Sequence, residues 1–131
     1  MRIASNDVWM VGSQGASGPI TLTEHWNGTA WSIAPNPYNH LSGNVISGSL
    51  VAVTARAAND VWAAGSYITF TDGDPAPVNH ALILHWTGAQ WIQDTLPTSG
   101  TYNVLQGIST TPDGHRIWAT NAGTPNLLQH S

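Results

Sequence analysis

The sequence predicts an all-β fold built from repeated four-stranded antiparallel meanders. Three observations carry that expectation: a strand written twice, tryptophans at a fixed interval, and short alternating runs separated by turn residues. "NDVWMVGS" at 6–13 returns as "NDVWAAGS" at 59–66. Trp9, Trp62 and Trp118 recur about every fifty-five residues. Trp26 aligns with Trp86 and Trp31 with Trp91, so all 7 tryptophans belong to the repeat. No segment carries a convincing helical period.

Each unit reads as strands A, B, C and D. Strand A is a β-branched run, "LVAVTAR" in the second unit and "VLQGIST" in the third. The turns "AAND" and "TPDG" end it. Strand B is the Trp strand. Strand C is "LTEHW", "LILHW" or "LLQHS"; in "LILHW" Leu82, Leu84 and Trp86 share one face, Ile83 and His85 the other. "NG" at 27–28 and "TG" at 87–88 then read as two-residue hairpin turns leading to strand D. A four-stranded unit of this length falls near the kelch and WD-repeat range and points to a β-propeller blade.

"ANDVWAAGS…HWTGAQW" resembles the Trp-rich bacterial β-propeller repeats whose consensus runs roughly DVWAVG…HWNGxxW. The "WNGTAW" and "WTGAQW" hairpins are similar to the Asp-box turns of sialidase-like and photosystem-assembly-type propellers. The Ser-x-Asp start of that box is absent; Glu24–His25 and Leu84–His85 stand in its place. The resemblance covers nearly the whole chain and implies blades of the kelch or Asp-box kind. It also implies an extracellular or cell-surface setting, and it is nearly silent on activity, because propellers host unrelated functions.

About two and a half blades are expected in the single domain 1–131. Blade 1 covers about 1–40 (B–D), blade 2 about 45–97 (A–D) and blade 3 about 103–131 (A–C), ten strands in all. Residues 1–4 fit the stub of a further strand A, since "RIASND" mirrors "RAAND". An arc of this kind leaves open strand edges and an apolar blade face. The expected partner is therefore the chain itself, closing a ring as a homo-oligomer, or else the remainder of a longer propeller.

Composition excludes several classes. Charged residues are 8% of the 131, there is no Lys, and the formal net charge is −4. The basic stripe that neutralises nucleic-acid phosphates is missing, as is one for an anionic membrane surface. No apolar run approaches the roughly 18 residues of a membrane span. "MRIASNDVW" has no apolar stretch of the signal-peptide kind. Zero Cys removes disulfides and thiolate metal sites, and no cofactor is expected.

Candidate binding residues concentrate in the B–C loops (14–20, 67–80, 121–126) and the D–A loops (34–44, 96–103), which are long and differ between units. Tyr38, His40, Tyr67, Phe70, Asp72, Asp74 and Tyr102 fall in or beside them. With Asn39, Asn79, Asn103 and His80 close by, these rings and carboxylates suit a neutral glycan, in the manner of a lectin. The competing reading packs the tyrosines onto the blade edge. His25, His85 and His130 take one position on successive C strands and read as structural, bonded to backbone or a neighbouring turn. Equivalent positions on successive blades diverge, so no metal site is expected from them. Asp7 and Asp60 read as turn residues satisfying backbone N–H groups. Trp9, Trp62 and Trp118 read as core. "NGT" at 27–29 fits a glycosylation sequon, but its hairpin position explains it better. "DGD" at 72–74 has the spacing of two calcium ligands, yet Pro75 replaces the acceptors that should follow.

No catalytic residue is expected. A sialidase-like hydrolase needs three clustered arginines, a Tyr/Glu pair and an acid. Arg2, Arg56 and Arg116 lie near the A–B turns, and the only Glu is Glu24, on a strand. No G-x-S-x-G occurs. The leading expectation is a non-enzymatic, self-associating scaffold for protein interaction.

Overall fold

The computed structural model describes residues 2–15, 20–37, 45–70, 73, 76–94, 107–110, 116–121 and 124–129. Among these the chain is all-β and no helix occurs. The strands are β1 Arg2–Ala4, β2 Asp7–Gln14, β3 Ile20–Trp26, β4 Trp31–Ile33, β5 Val45–Ala57, β6 Asp60–Thr69, β7 Val78–Trp86, β8 Trp91–Asp94, β9 Gly107–Thr110, β10 Arg116–Asn121 and β11 Thr124–Gln129. They form three open sheets with neighbours in chain order: β1-β2-β3-β4, β5-β6-β7-β8 and β9-β10-β11. All pairings are antiparallel. The stub expected at residues 1–4 is β1, which pairs with β2.

The repeat is visible in the register. Trp9 stands opposite His25 and Trp62 opposite His85. Trp26 meets Trp31, and Trp86 meets Trp91. Inside those pairs Asn27 N–H donates to the Ala30 carbonyl oxygen and Thr87 N–H to that of Gln90, so the two-residue turns suggested at 27–28 and 87–88 sit at 28–29 and 88–89. The reason is local: Gly28 and Gly88, at φ of +98° and +101°, take the first central position of the turn, which requires positive φ. Asn27 Oδ1 accepts from the N–H groups of Thr29 and Ala30 and holds the first turn. Each glycine also lies against the asparagine of the preceding A–B turn. An added Cβ would come within 2.9 Å of the Asn6 or Asn59 Cβ. The A–B and C–D turns thus share one rim.

The third sheet departs from this register. β10 and β11 join at Asn121↔Thr124, which sets Trp118 opposite Leu127 and Arg116 opposite Gln129. Leu127, not His130, holds the position of His25 and His85. The alignment of His130 with those histidines is corrected by this tight hairpin; residue 130 itself lies outside the described residues.

The second sheet sits between the other two. Its β5 approaches β2 and β3 on one side and β9 of the third sheet as well. Toward the first sheet it buries Leu50, Val61, Ala63, Leu82, Leu84 and Trp91 against Trp9. Toward the third it buries Trp62, Ala64 and Ile83 against Ile117 and Ile108. Strand alternation makes this possible: Val61 faces back and Trp62 faces forward. Trp9 and Trp62 are thus each driven into the next sheet. The third sheet follows the rule, with Ile117 fully buried against the second.

β5 is thirteen residues long and crosses β6 with register shifts, one of them between Leu50 and Ala52. There Gly65 is obligatory: a Cβ would fall 2.0 Å from the Ser49 carbonyl oxygen. Gly12, its counterpart in the first unit, has nothing within 4 Å of such an atom.

Candidate functional site

Three features stand out: a carboxylate set at the turn rim, an aromatic cluster at the opposite end of the second sheet, and one uncovered sheet face.

At the turn rim, Asp60 and Trp62 lie two residues apart on one face, and His85 is directly across from Trp62. The imidazole stacks on the indole at 4.0 Å and 13°. From there its Nε2–H donates to Asp60 Oδ1 at 2.7 Å. Trp62 Nε1–H donates to the same oxygen at 2.8 Å, and Arg56 Nε–H to the other at 2.7 Å. Burial opposes ionisation of Asp60. The hydrogen bonds from His85, Arg56 and Trp62, together with the Arg56 charge, outweigh it and hold the carboxyl below its ordinary 3.8. The first sheet repeats the core of this set: His25 stacks on Trp9 at 4.4 Å and donates to Asp7 at 2.7 Å.

Asp7 and Asp60 were expected to bond backbone N–H groups; both instead accept from side chains on neighbouring strands. A turn motif is read locally, whereas these partners arrive from 18 and 25 residues away. The arrangement clamps strands together. Among the described residues no three His, Cys, Asp or Glu side chains converge to hold a metal.

At the other end of the second sheet, β6 and β7 run further than the loop 67–80 suggested, pairing Tyr67↔His80 and Thr69↔Val78. Tyr67 is therefore a strand residue. Its ring stacks on His80 at 4.7 Å and packs against the core, and His80 Nε2 bonds Thr69 Oγ1 at 2.8 Å. One ring face is thus covered. Phe70 is exposed. Tyr38, His40, Asp72, Asp74 and Tyr102 lie outside the described residues.

The third feature is an apolar open face of the kind the sequence leads one to expect, and the structure gives its residues. The first sheet's forward face, with Trp9, Thr21 and Thr23, is buried against the second sheet. Thr21, Thr23 and Asn36 hydrogen-bond one another there, Thr21 Oγ1–H donating to Asn36 Oδ1 and Asn36 Nδ2–H to Thr23 Oγ1. The rear face carries Met10, Leu22, Glu24, Trp26, Trp31 and Ile33. Met10 is 45% exposed, Trp31 45% and Ile33 52%. The equivalent positions of the second sheet, Ala63 and Trp91, are 0% and 4% exposed. Met10 and Trp31 are thus exposed where their counterparts are buried, while Leu22, Glu24 and Trp26 are half-buried.

Comparison with known proteins finds no matching family model, curated protein or solved structure. The functional reading therefore rests on this geometry.

Proposed function

We propose that the chain is a non-enzymatic, self-associating scaffold whose three sheets are successive blades of a β-propeller. Two facts support the blade reading: the sheets stack in chain order, and Trp9 and Trp62 each enter the sheet that follows. One observation carries self-association. On the rear face of the first sheet Met10 and Trp31 are exposed at positions where the second sheet buries Ala63 and Trp91, and exposed apolar area of this kind favours association. A cover of the same shape is available on a copy of the chain, as stacked repeats cover one another. Two copies would bring six sheets around one axis, within the usual range of propeller blades. The Asp–His–Trp sets act in this reading as clamps that hold each blade rigid.

The test is the mass in solution by light scattering. An integer multiple of the 13.9 kDa chain is expected. A mass of 13.9 kDa at all concentrations would end the scaffold reading.

A further inference from the structure

We infer that the rear face of the first sheet is the socket for the third sheet of a second copy, entered by the face that carries Trp118. This rests on the self-association reading and names the surfaces that meet.

The chain itself shows what covers such a socket. The second sheet's rear face, with Leu82, Leu84, Trp86 and Trp91, receives Trp9 from the sheet before it; the Trp9 ring lies 5.0 Å from Trp86 and 5.2 Å from Trp91. Its counterparts on the first sheet are Leu22, Glu24, Trp26 and Trp31. Trp26 and Trp31 are already paired at 5.7 Å, and Trp31 is exposed. The plug has to be a sheet with a forward tryptophan that no further described sheet of its own chain receives. The third sheet meets that requirement: Ile117 is buried against the second sheet, so Trp118, the next residue on β10, belongs to the opposite face.

Charge selects the polarity. The socket differs from its covered counterpart by holding Glu24, the only Glu in the chain, where the second sheet has Leu84. The third unit differs from the other two by holding Arg116 two residues before its tryptophan, where they have Asp7 and Asp60. By sequence position an acid has replaced an apolar residue on the socket strand and a cation has replaced an acid two places before the plug tryptophan, a pattern that favours a head-to-tail contact. Pairing two first sheets with each other would instead set Glu24 against Glu24, a like-charge contact that costs affinity.

A head-to-tail contact has two different surfaces, so each can be blocked alone. Met10→Glu puts a charge at the centre of the socket, at an exposed position the fold tolerates. Trp118→Glu blocks the plug, and Arg116→Glu blocks it with Trp118 left in place. Sedimentation velocity on the wild type and each variant, with circular dichroism as a check of folding, reads the outcome. Each variant alone should weaken association by about tenfold or more. Mixing Met10→Glu with Arg116→Glu should restore a single contact and give a 1:1 dimer that grows no further. If Met10→Glu associates like the wild type, or if Arg116→Glu does, the socket-and-plug assignment is wrong while self-association stands. A wild type that stays monomeric would remove both.

Discussion

The first and second sheets are the same sequence pattern in two environments. Both place His on Trp and Asp on His, and both close their last hairpin over a positive-φ glycine. They part where neighbours differ. The second sheet is covered on both faces and carries Ala63 and Leu84; the first is covered on one and carries Met10 and Glu24. The motif therefore fixes the inside of a unit, and the variable positions record what lies against it.

That comparison breaks if equivalent substitutions cost the same in the two sheets. The largest contrast is between Trp9→Ala and Trp31→Ala. Trp9 fills the space between two sheets, and its loss should cost about 3–5 kcal/mol in urea unfolding. Trp31→Ala, at an exposed position, should cost the dilute chain under about 1 kcal/mol. Next come the two glycines. Gly65→Ala drives a methyl into the Ser49 carbonyl and should destabilise by about 2–3 kcal/mol, whereas Gly12→Ala should stay within about 0.5.

The carboxylates sharpen the comparison. Asp60→Ala strands the donors of His85, Trp62 and Arg56 and should cost about 2–3 kcal/mol. Asp7→Ala removes the acceptor of His25 and should cost about 1 kcal/mol. The smallest effect is on pH dependence. The Asp60 pKa is lowered by folding, so its contribution is present above the ordinary value and is lost as pH falls through the folded one. Urea midpoints taken between about pH 5 and pH 3 should fall less steeply in Asp60→Asn than in the wild type.

The meanders were legible in the sequence because alternation and turn chemistry are local. Trp9 and Trp62, the "LILHW" faces and the absence of helix could all be read from residues a few places apart. What could not be read depends on distant pairing. The bond of Asp60 to His85 needs β6 and β7 already in register. Tyr67 looked like loop because "YITF" and "PVNH" carry no sign that they pair. His130 looked equivalent to His85 because spacing from the end of a motif ignores loop length, and a tight β10–β11 hairpin moves the register by three residues. An open apolar face was expected, but its residues could not be read for a related reason: Trp31 and Trp91 are identical as letters and differ only in what stands over them.

Those two tryptophans offer the most direct measurement. Hydroxyl-radical footprinting over a dilution series reads the solvent access of each indole. Trp91 should be protected at every concentration, and Trp31 should be labelled when dilute and become protected as copies associate. Trp31 labelled equally at all concentrations, or Trp91 labelled as readily as Trp31, would contradict a repeated surface that is covered once within the chain and once between chains.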